Sequence, residues 1–292
     1  MKVQKANTNN KKSSQAHEIW RRYKKSKTAM LGLILLIFII GIAIFADVIC
    51  PYDQAIAQDI AGRLQGPSMQ HFFGTDEMGR DVFARVIHGS RYSLFIGVST
   101  SVFSLIIGGM LGAIAAYYGK GIDNVIMRLT DVIMTVPPIL LSLAVVAALG
   151  ANIRNLMIAI TISCVPSMVR MVRSVVISVV DNEYVEAAKS YGASDLRIIL
   201  KYILPNSLGP IIVTVTMNVA GMILSAAGLS FLGMGVQPPS PEWGALLSDA
   251  EQYMFSAPWT LYFPGIFIVI AALSFSLAGD GLRDALDPKL KN

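Results

Sequence analysis

Three groups of residues in this 292-residue chain have the types and spacing to do chemistry. The first is Gly74-Thr75-Asp76 followed at once by Gly79-Arg80-Asp81. Glycines suit tight turns, and two carboxylates flanking a guanidinium can cross-link those turns through charge-assisted hydrogen bonds. Such a cluster either serves a partner or only ties down a loop. The second is Asp131, a lone carboxylate well inside an apolar run. An acid at membrane depth is a candidate proton or ion site, but Arg128, one turn away, can equally pair with it. The third is Glu186-Ala187-Ala188-Lys189-Ser190-Tyr191-Gly192, a charged helix-former between apolar segments, trailed by Leu204-Pro205. A charged helix–turn–helix cannot lie in hydrocarbon, so it must protrude as a handle for a partner.

Other chemistry is missing from the sequence. No G-x-x-x-x-G-K-S/T phosphate loop is present, because Gly119-Lys120 lacks both the upstream glycine and the hydroxyl. ATP is therefore not expected on this chain. His17, His71 and His88 are scattered and form no metal-ligand spacing, and there is no G-x-S-x-G elbow. No catalytic residue and no metal ligand is assigned. Cys50 and Cys164 are too few for a disulfide framework and read as small packing residues.

The elements that must carry these groups follow from composition. Only 15% of the residues are charged, against about 25% in a soluble domain, so the chain is expected to be an integral membrane protein. A spanning helix needs about 20 largely apolar residues. Six runs qualify, at about 29–49, 93–118, 125–150, 155–175, 210–231 and 260–278. Gly97, Gly108, Gly109 and Gly112 in the second run predict close helix–helix approach, and Pro137-Pro138 predict a kink in the third. Arg170 and Arg173 are expected to snorkel from the inner end of the fourth. Val82–Tyr92 reads as an amphipathic helix lying on the membrane surface, at the close of an external segment spanning 51–92. The segment 233–259 is also external, with Trp243 and Trp259 as interfacial anchors.

Orientation comes from the basic residues. Nineteen of the 24 Lys and Arg fall on the tails and the loops sharing their side, and five on the alternate loops. The positive-inside rule then puts both termini and the Glu186 loop in the cytoplasm. A net charge of +5 distributed this way points to a membrane and not to nucleic acid. The expected organisation is a cytoplasmic tail (1–28), a membrane domain (29–278) and a second cytoplasmic tail (279–292).

Glu186, Ala187, Ala188, Gly192, Leu204 and Pro205 fall on the pattern Glu-Ala-Ala, three residues, Gly, nine residues, an apolar residue, any residue, Leu-Pro. Tyr202 in the first apolar slot is a mild departure. The segment resembles the EAA loop of ABC-transporter permeases. Phe73-Gly74-Thr75-Asp76 with Gly79-Arg80-Asp81, Gln237-Pro238-Pro239 with Glu242-Trp243-Gly244, and Gly279 to Pro288 resemble the C-type subunit of the dipeptide, oligopeptide and nickel importers. That resemblance implies an all-α integral membrane protein with the six transmembrane helices of the type I importer fold and a cytoplasmic coupling loop at 181–205. It also implies a second permease subunit, two cytoplasmic ABC ATPase subunits that bind ATP and Mg, an extracytoplasmic substrate-binding protein, and a bed of membrane lipid in the cytoplasmic membrane. Peptides are the favoured cargo, with chelated nickel next. A secondary transporter driven by ions is the competing class, for which Asp131 alone would have to serve, in a chain with no convincing internal repeat.

Overall fold

The structure, a computed structural model, describes residues 15–286. Its regular elements are helices: α1 (Gln15–Tyr23), α2 (Lys27–Ile44), α3 (Ala46–Ile49), α4 (Tyr52–Ile56), α5 (Val82–Tyr118), α6 (Lys120–Met134), α7 (Pro138–Leu149), α8 (Ile153–Val180), α9 (Glu183–Ser190), α10 (Asp195–Ile198), α11 (Leu204–Phe231), α12 (Trp243–Ala250) and α13 (Trp259–Leu286). Among the described residues, five stretches are long and apolar enough to cross a membrane: α2, α5, α8, the continuous run Asp195–Phe231, and α13. The pair α6 and α7 makes a sixth if taken as one span bent by 83°. Pro137 and Pro138 cause that bend. Pro138 sits at the first position of α7, where its missing N–H costs nothing, but it cannot continue α6.

Several boundaries differ from those read off the apolar runs. The first run is interrupted at Phe45, between α2 and α3, where Arg91 donates to the last carbonyls of α2. Its Nε donates to Ala43 O at 2.6 Å and its Nη2 to Ile44 O at 3.1 Å. Residues 82–92 are not a separate amphipathic helix. They form the first turns of α5, a helix of 37 residues and about 55 Å at 1.5 Å per residue, with Arg85 and His88 buried. The fifth span begins well before residue 210, since a π-helical turn at Ile199–Ile203 joins α10 to α11 without a break. Helix α13 runs on to Leu286, so the expected C-terminal tail is helical as far as that residue. Part of the N-terminal tail is likewise helical as α1, while residues 1–14 and 287–292, including Asp287 and Pro288, lie outside the described residues.

Helix α5 is the central post. A Cβ at Gly108 would sit 2.7 Å from the Met168 Cβ, and one at Gly112 would sit 3.0 Å from the Arg173 nitrogen. Those two glycines, four apart, press α5 against α8, while Gly97 makes room for Ile223 of α11. Gly109 takes no part, since it meets only Leu105 of its own helix. Apolar packing is concentrated at the two ends of this post. One cluster, with Ile39, Val86, Ile223, Trp243 and Phe267, lies under the Asp76 loop. The other, with Val172, Val176, Val185, Ile198 and Ile203, lies under the Glu186 hairpin.

Candidate functional site

At the Asp76 end, the residues singled out in the sequence form the floor of a closed structure. Thr75 is fully buried; its hydroxyl donates to Gly62 O at 2.6 Å and accepts from Gln65 N at 2.8 Å. Gly74 and Gly79 hold φ of +75° and +72° and turn the chain on either side of Asp76. Asp76 is the hub. Its Oδ1 accepts from the backbone N–H groups of Met78 and Arg80, both at 2.9 Å, and its Oδ2 accepts from Arg80 Nε at 2.7 Å and from Arg85. Arg80 Nη2 also donates to Glu77 at 2.6 Å, and Arg85 Nη2 reaches Asp249 at 3.3 Å. Two guanidiniums are thus held among three carboxylates. Burial pushes the Glu77 carboxyl above its ordinary range, and the neighbouring Asp76 charge adds to that rise.

Asp81 is not a member of this cluster, contrary to the expectation of one Asp76–Arg80–Asp81 network. It caps α5 instead, its Oδ1 accepting from Ala84 N at 2.8 Å while Oδ2 meets His71 Nδ1 at 2.8 Å. Arg85 and Asp249 take the place expected for it. Neither was legible as a partner of Asp76, because Asp249 is far away in sequence and Arg85 looked like the polar face of a surface helix.

The segment between α11 and α13 closes the same end. Trp243 is fully buried, and its Nε1 donates to Val86 O at 2.9 Å, so it is a core plug and not an interfacial anchor. Trp259 Nε1 donates to Thr75 O at 3.1 Å, tying the start of α13 to the Asp76 loop. Glu242 caps α12 through Ala245 N at 3.0 Å and accepts from Ser93 Oγ of α5 at 2.9 Å. It is wholly buried, and that burial pushes its carboxyl well up, with the hydrogen bonds from Gly244, Ala245 and Ser93 opposing the rise.

The Glu186 end is built differently. Val185 and Ala188 of α9, with Ile198 of α10, turn inward onto the lower apolar cluster. Glu186, Ala187, Tyr191 and Leu196 turn outward, Tyr191 at 91% exposure. The turn is a Schellman motif: Ala193 N donates to Ala188 O at 3.1 Å and Gly192 N to Lys189 O at 2.9 Å. Gly192 holds φ +73° and has no atom within 4 Å of where a Cβ would stand. Glycine is needed there for its backbone conformation, not for space. Tyr117 at the foot of α5 steadies the hairpin, donating to Asp195 at 2.7 Å while Lys189 Nζ lies 5.1 Å from its ring centre. Leu204-Pro205 stands at the junction of the π turn with α11. Leu204 rests on the lower cluster, and Asn206 Nδ2 takes the Tyr202 carbonyl at 2.6 Å.

Between the two ends, helices α6 and α8 are joined by two ion pairs. Arg173 grips Asp123 with two bonds of 2.5 Å each. Arg170 reaches Asp131 with one bond of 2.5 Å, so Asp131 pairs across to α8 and not with Arg128. Each arginine finds a carboxylate on the neighbouring helix.

Comparison with known proteins agrees with this architecture. Residues 108–292 match the family described as binding-protein-dependent transport system inner membrane component. Residues 14–67 match the N-terminal TM domain of oligopeptide transport permease C. The dipeptide transport system permease protein of Alkalihalophilus pseudofirmus is 49% identical over 94% of this chain and 90% of its own length. The glutathione transport system permease protein of Escherichia coli is 46% identical over 94% of this chain and 91% of its own. Among solved structures, the MetNI methionine ABC transporter in inward-facing conformations aligns with TM-score 0.58 at 17% identity, over 70% of this chain and 97% of that one. The chain belongs to the family of membrane permease components of binding-protein-dependent ABC transporters. Within that family it is of the C-subunit type found in peptide and glutathione importers, a multi-pass membrane component rather than an enzyme, and its class works with an ATPase and a binding protein.

Proposed function

We propose that this chain forms half of the translocation pathway of an importer for short peptides, and that its α9–α10 hairpin is the handle by which ATPase subunits move it. The observation that carries the proposal is the hairpin's two-faced build. Its underside is buried on α8 and α11 residues, and its outer face presents Glu186, Ala187, Tyr191 and Leu196. Because helical backbone runs unbroken from Asp195 to Phe231, a push on the hairpin is carried into α11 as a rigid displacement. Closure of an ATPase dimer would then rock the spans and switch the path between inward- and outward-open states. The dipeptide and glutathione systems of the two relatives support a short-peptide cargo.

The excess of basic residues on the Glu186 side supports a cytoplasmic location for that end and for both termini. A binding protein would deliver cargo at the Asp76 end. One chain encloses only half a pathway, so a second permease subunit and two ATPase subunits complete the complex. Co-expression with the neighbouring transport subunits, followed by purification and reconstitution into vesicles, tests the reading. The expected result is a complex that retains the ATPase and takes up dipeptide or glutathione when ATP and binding protein are supplied. A chain that carried cargo without an ATPase, driven by an ion gradient, would overturn it. Single cysteines at Ser190 and Ser248, in a background lacking Cys50 and Cys164, should label from opposite sides of the membrane.

A further inference from the structure

The geometry points to the Asp131–Arg170 pair, beside the α6–α7 break, as a subsite on the water-filled path that takes the charged termini of a zwitterionic peptide. This rests on the peptide-importer reading above. The two ion pairs between α6 and α8 differ in a way that matters chemically. In the Asp123–Arg173 pair both carboxylate oxygens and two guanidinium nitrogens are engaged, and the side chains are 17% and 30% exposed. That fork is a strut. In the Asp131–Arg170 pair a single Nη2 meets a single Oδ1, and the side chains are 59% and 44% exposed. Arg170 keeps unused donors and Asp131 keeps an unused oxygen, so each can take a second partner.

The surroundings say what medium they face. All ten residues from Asp131 to Leu140 are exposed, and this stretch includes the break between the two half-helices, bent by 83°. Pro138 has no N–H to give the Met134 carbonyl, which a continuous helix would have satisfied. Charged side chains and irregular backbone at membrane depth are tolerated against water or protein but not against lipid tails. An exposed ion pair and an exposed helix break at one place therefore mark a face turned away from lipid, toward a water-filled path or the second permease subunit that would border it. A free peptide brings an ammonium and a carboxylate. Asp131 matches the first, and the planar fork of Arg170 matches the second in bidentate fashion. The peptide's two charges would replace the pair's single bond by two of their own, so cargo itself would loosen the contact between α6 and α8.

A cysteine at Thr135, in a background lacking Cys50 and Cys164, tests this in the complete transporter. Thr135 is exposed at the break and is not one of the proposed ligands. A membrane-impermeant maleimide should modify Thr135→Cys in detergent-solubilised complex. Millimolar L-alanyl-L-alanine, without binding protein, should slow that modification at least fivefold, while its N-acetylated, C-amidated form should not. Asp131→Asn and Arg170→Gln should each abolish the protection while leaving the ATPase subunits bound. Uptake of L-alanyl-L-alanine by the cysteine variant runs alongside. Uptake with no reactivity at residue 135, with equal protection by both peptides, or with full protection in Arg170→Gln overturns the subsite alone. Absence of dipeptide uptake overturns the subsite and the dipeptide reading together.

Discussion

The two ends of this bundle solve opposite problems with opposite chemistry. At the Asp76 end, polar groups are buried and densely hydrogen-bonded, although Arg85 Nε has no partner among the described residues: Asp76 takes four donors, Thr75 is fully enclosed, and Glu242 and Trp243 lock α12 onto α5. At the Glu186 end most polar groups point outward, and apolar residues, one glycine turn and the exposed Tyr117–Asp195 bond hold the hairpin in shape. Buried, hydrogen-bonded charge fixes a unique geometry and punishes the loss of any member. Exposed charge contributes little to folding and is free to meet a partner. The Asp76 end is thus built to stay as it is, and the Glu186 end to be grasped.

Substitutions can break that contrast, and the largest effect is expected at Asp76. Asp76→Ala strands two guanidiniums and two backbone N–H groups, so a loss of about 3–5 kcal/mol of stability is expected. It should be read as lost assembled protein and a lower midpoint in thermal unfolding. A fall of under 1 kcal/mol would mean the network is wet and incidental. Next, Glu242→Ala should cost about 1–3 kcal/mol by leaving the α12 N-terminus and Ser93 without their acceptor, whereas Glu242→Gln keeps the shape and an acceptor oxygen.

The pair Glu242→Ala and Glu242→Gln also carries a pH signature. Burial raises the Glu242 carboxyl above its ordinary range. A group raised in the folded state contributes stability that is complete below the ordinary value and is lost as pH rises through the folded one. Midpoints of the unchanged protein should therefore decline from acid toward alkaline pH, and Glu242→Gln should flatten part of that decline. Identical pH profiles for the two proteins would show that the Glu242 carboxyl titrates alike in the folded and unfolded states.

At the other end the expected effects shift from stability to coupling. Gly192→Leu forces a side chain into a left-handed backbone, at about 1–2 kcal/mol, confined to the hairpin turn. Membrane insertion should be normal while co-purification of the ATPase falls and uptake per inserted molecule drops. Because no atom crowds residue 192, Gly192→Asn, which tolerates that conformation, should restore much of both. Equal defects in the Asn and Leu variants would mean that the partner, and not the backbone, demands glycine. The smallest effect on folding is expected for Tyr191→Ala, within about 0.5 kcal/mol as for an ordinary surface change. If ATPase binding is also unchanged, the outward face of α9 is not the docking surface.

The sequence by itself carried the helical class, the six apolar runs, the break at Pro137-Pro138, the close approach at Gly108 and Gly112, and the hairpin turning at Gly192. Each of these depends on local physics: hydrocarbon thickness, the missing N–H of proline, the missing Cβ of glycine. The tertiary structure alone decided where the charges go. Arg85 looked like the wet face of a surface helix, yet it is buried because Asp76 of the preceding loop and Asp249 from a distant segment neutralise it. Trp243 looked like an anchor, yet it fills the space left at Gly89. Asp131 had a partner one turn away in Arg128 but took Arg170 from another helix. Apolar periodicity is written along the chain, residue after residue. The partner of a buried charge is set by which distant segment the fold brings within about 3 Å, and spacing along one helix does not encode that.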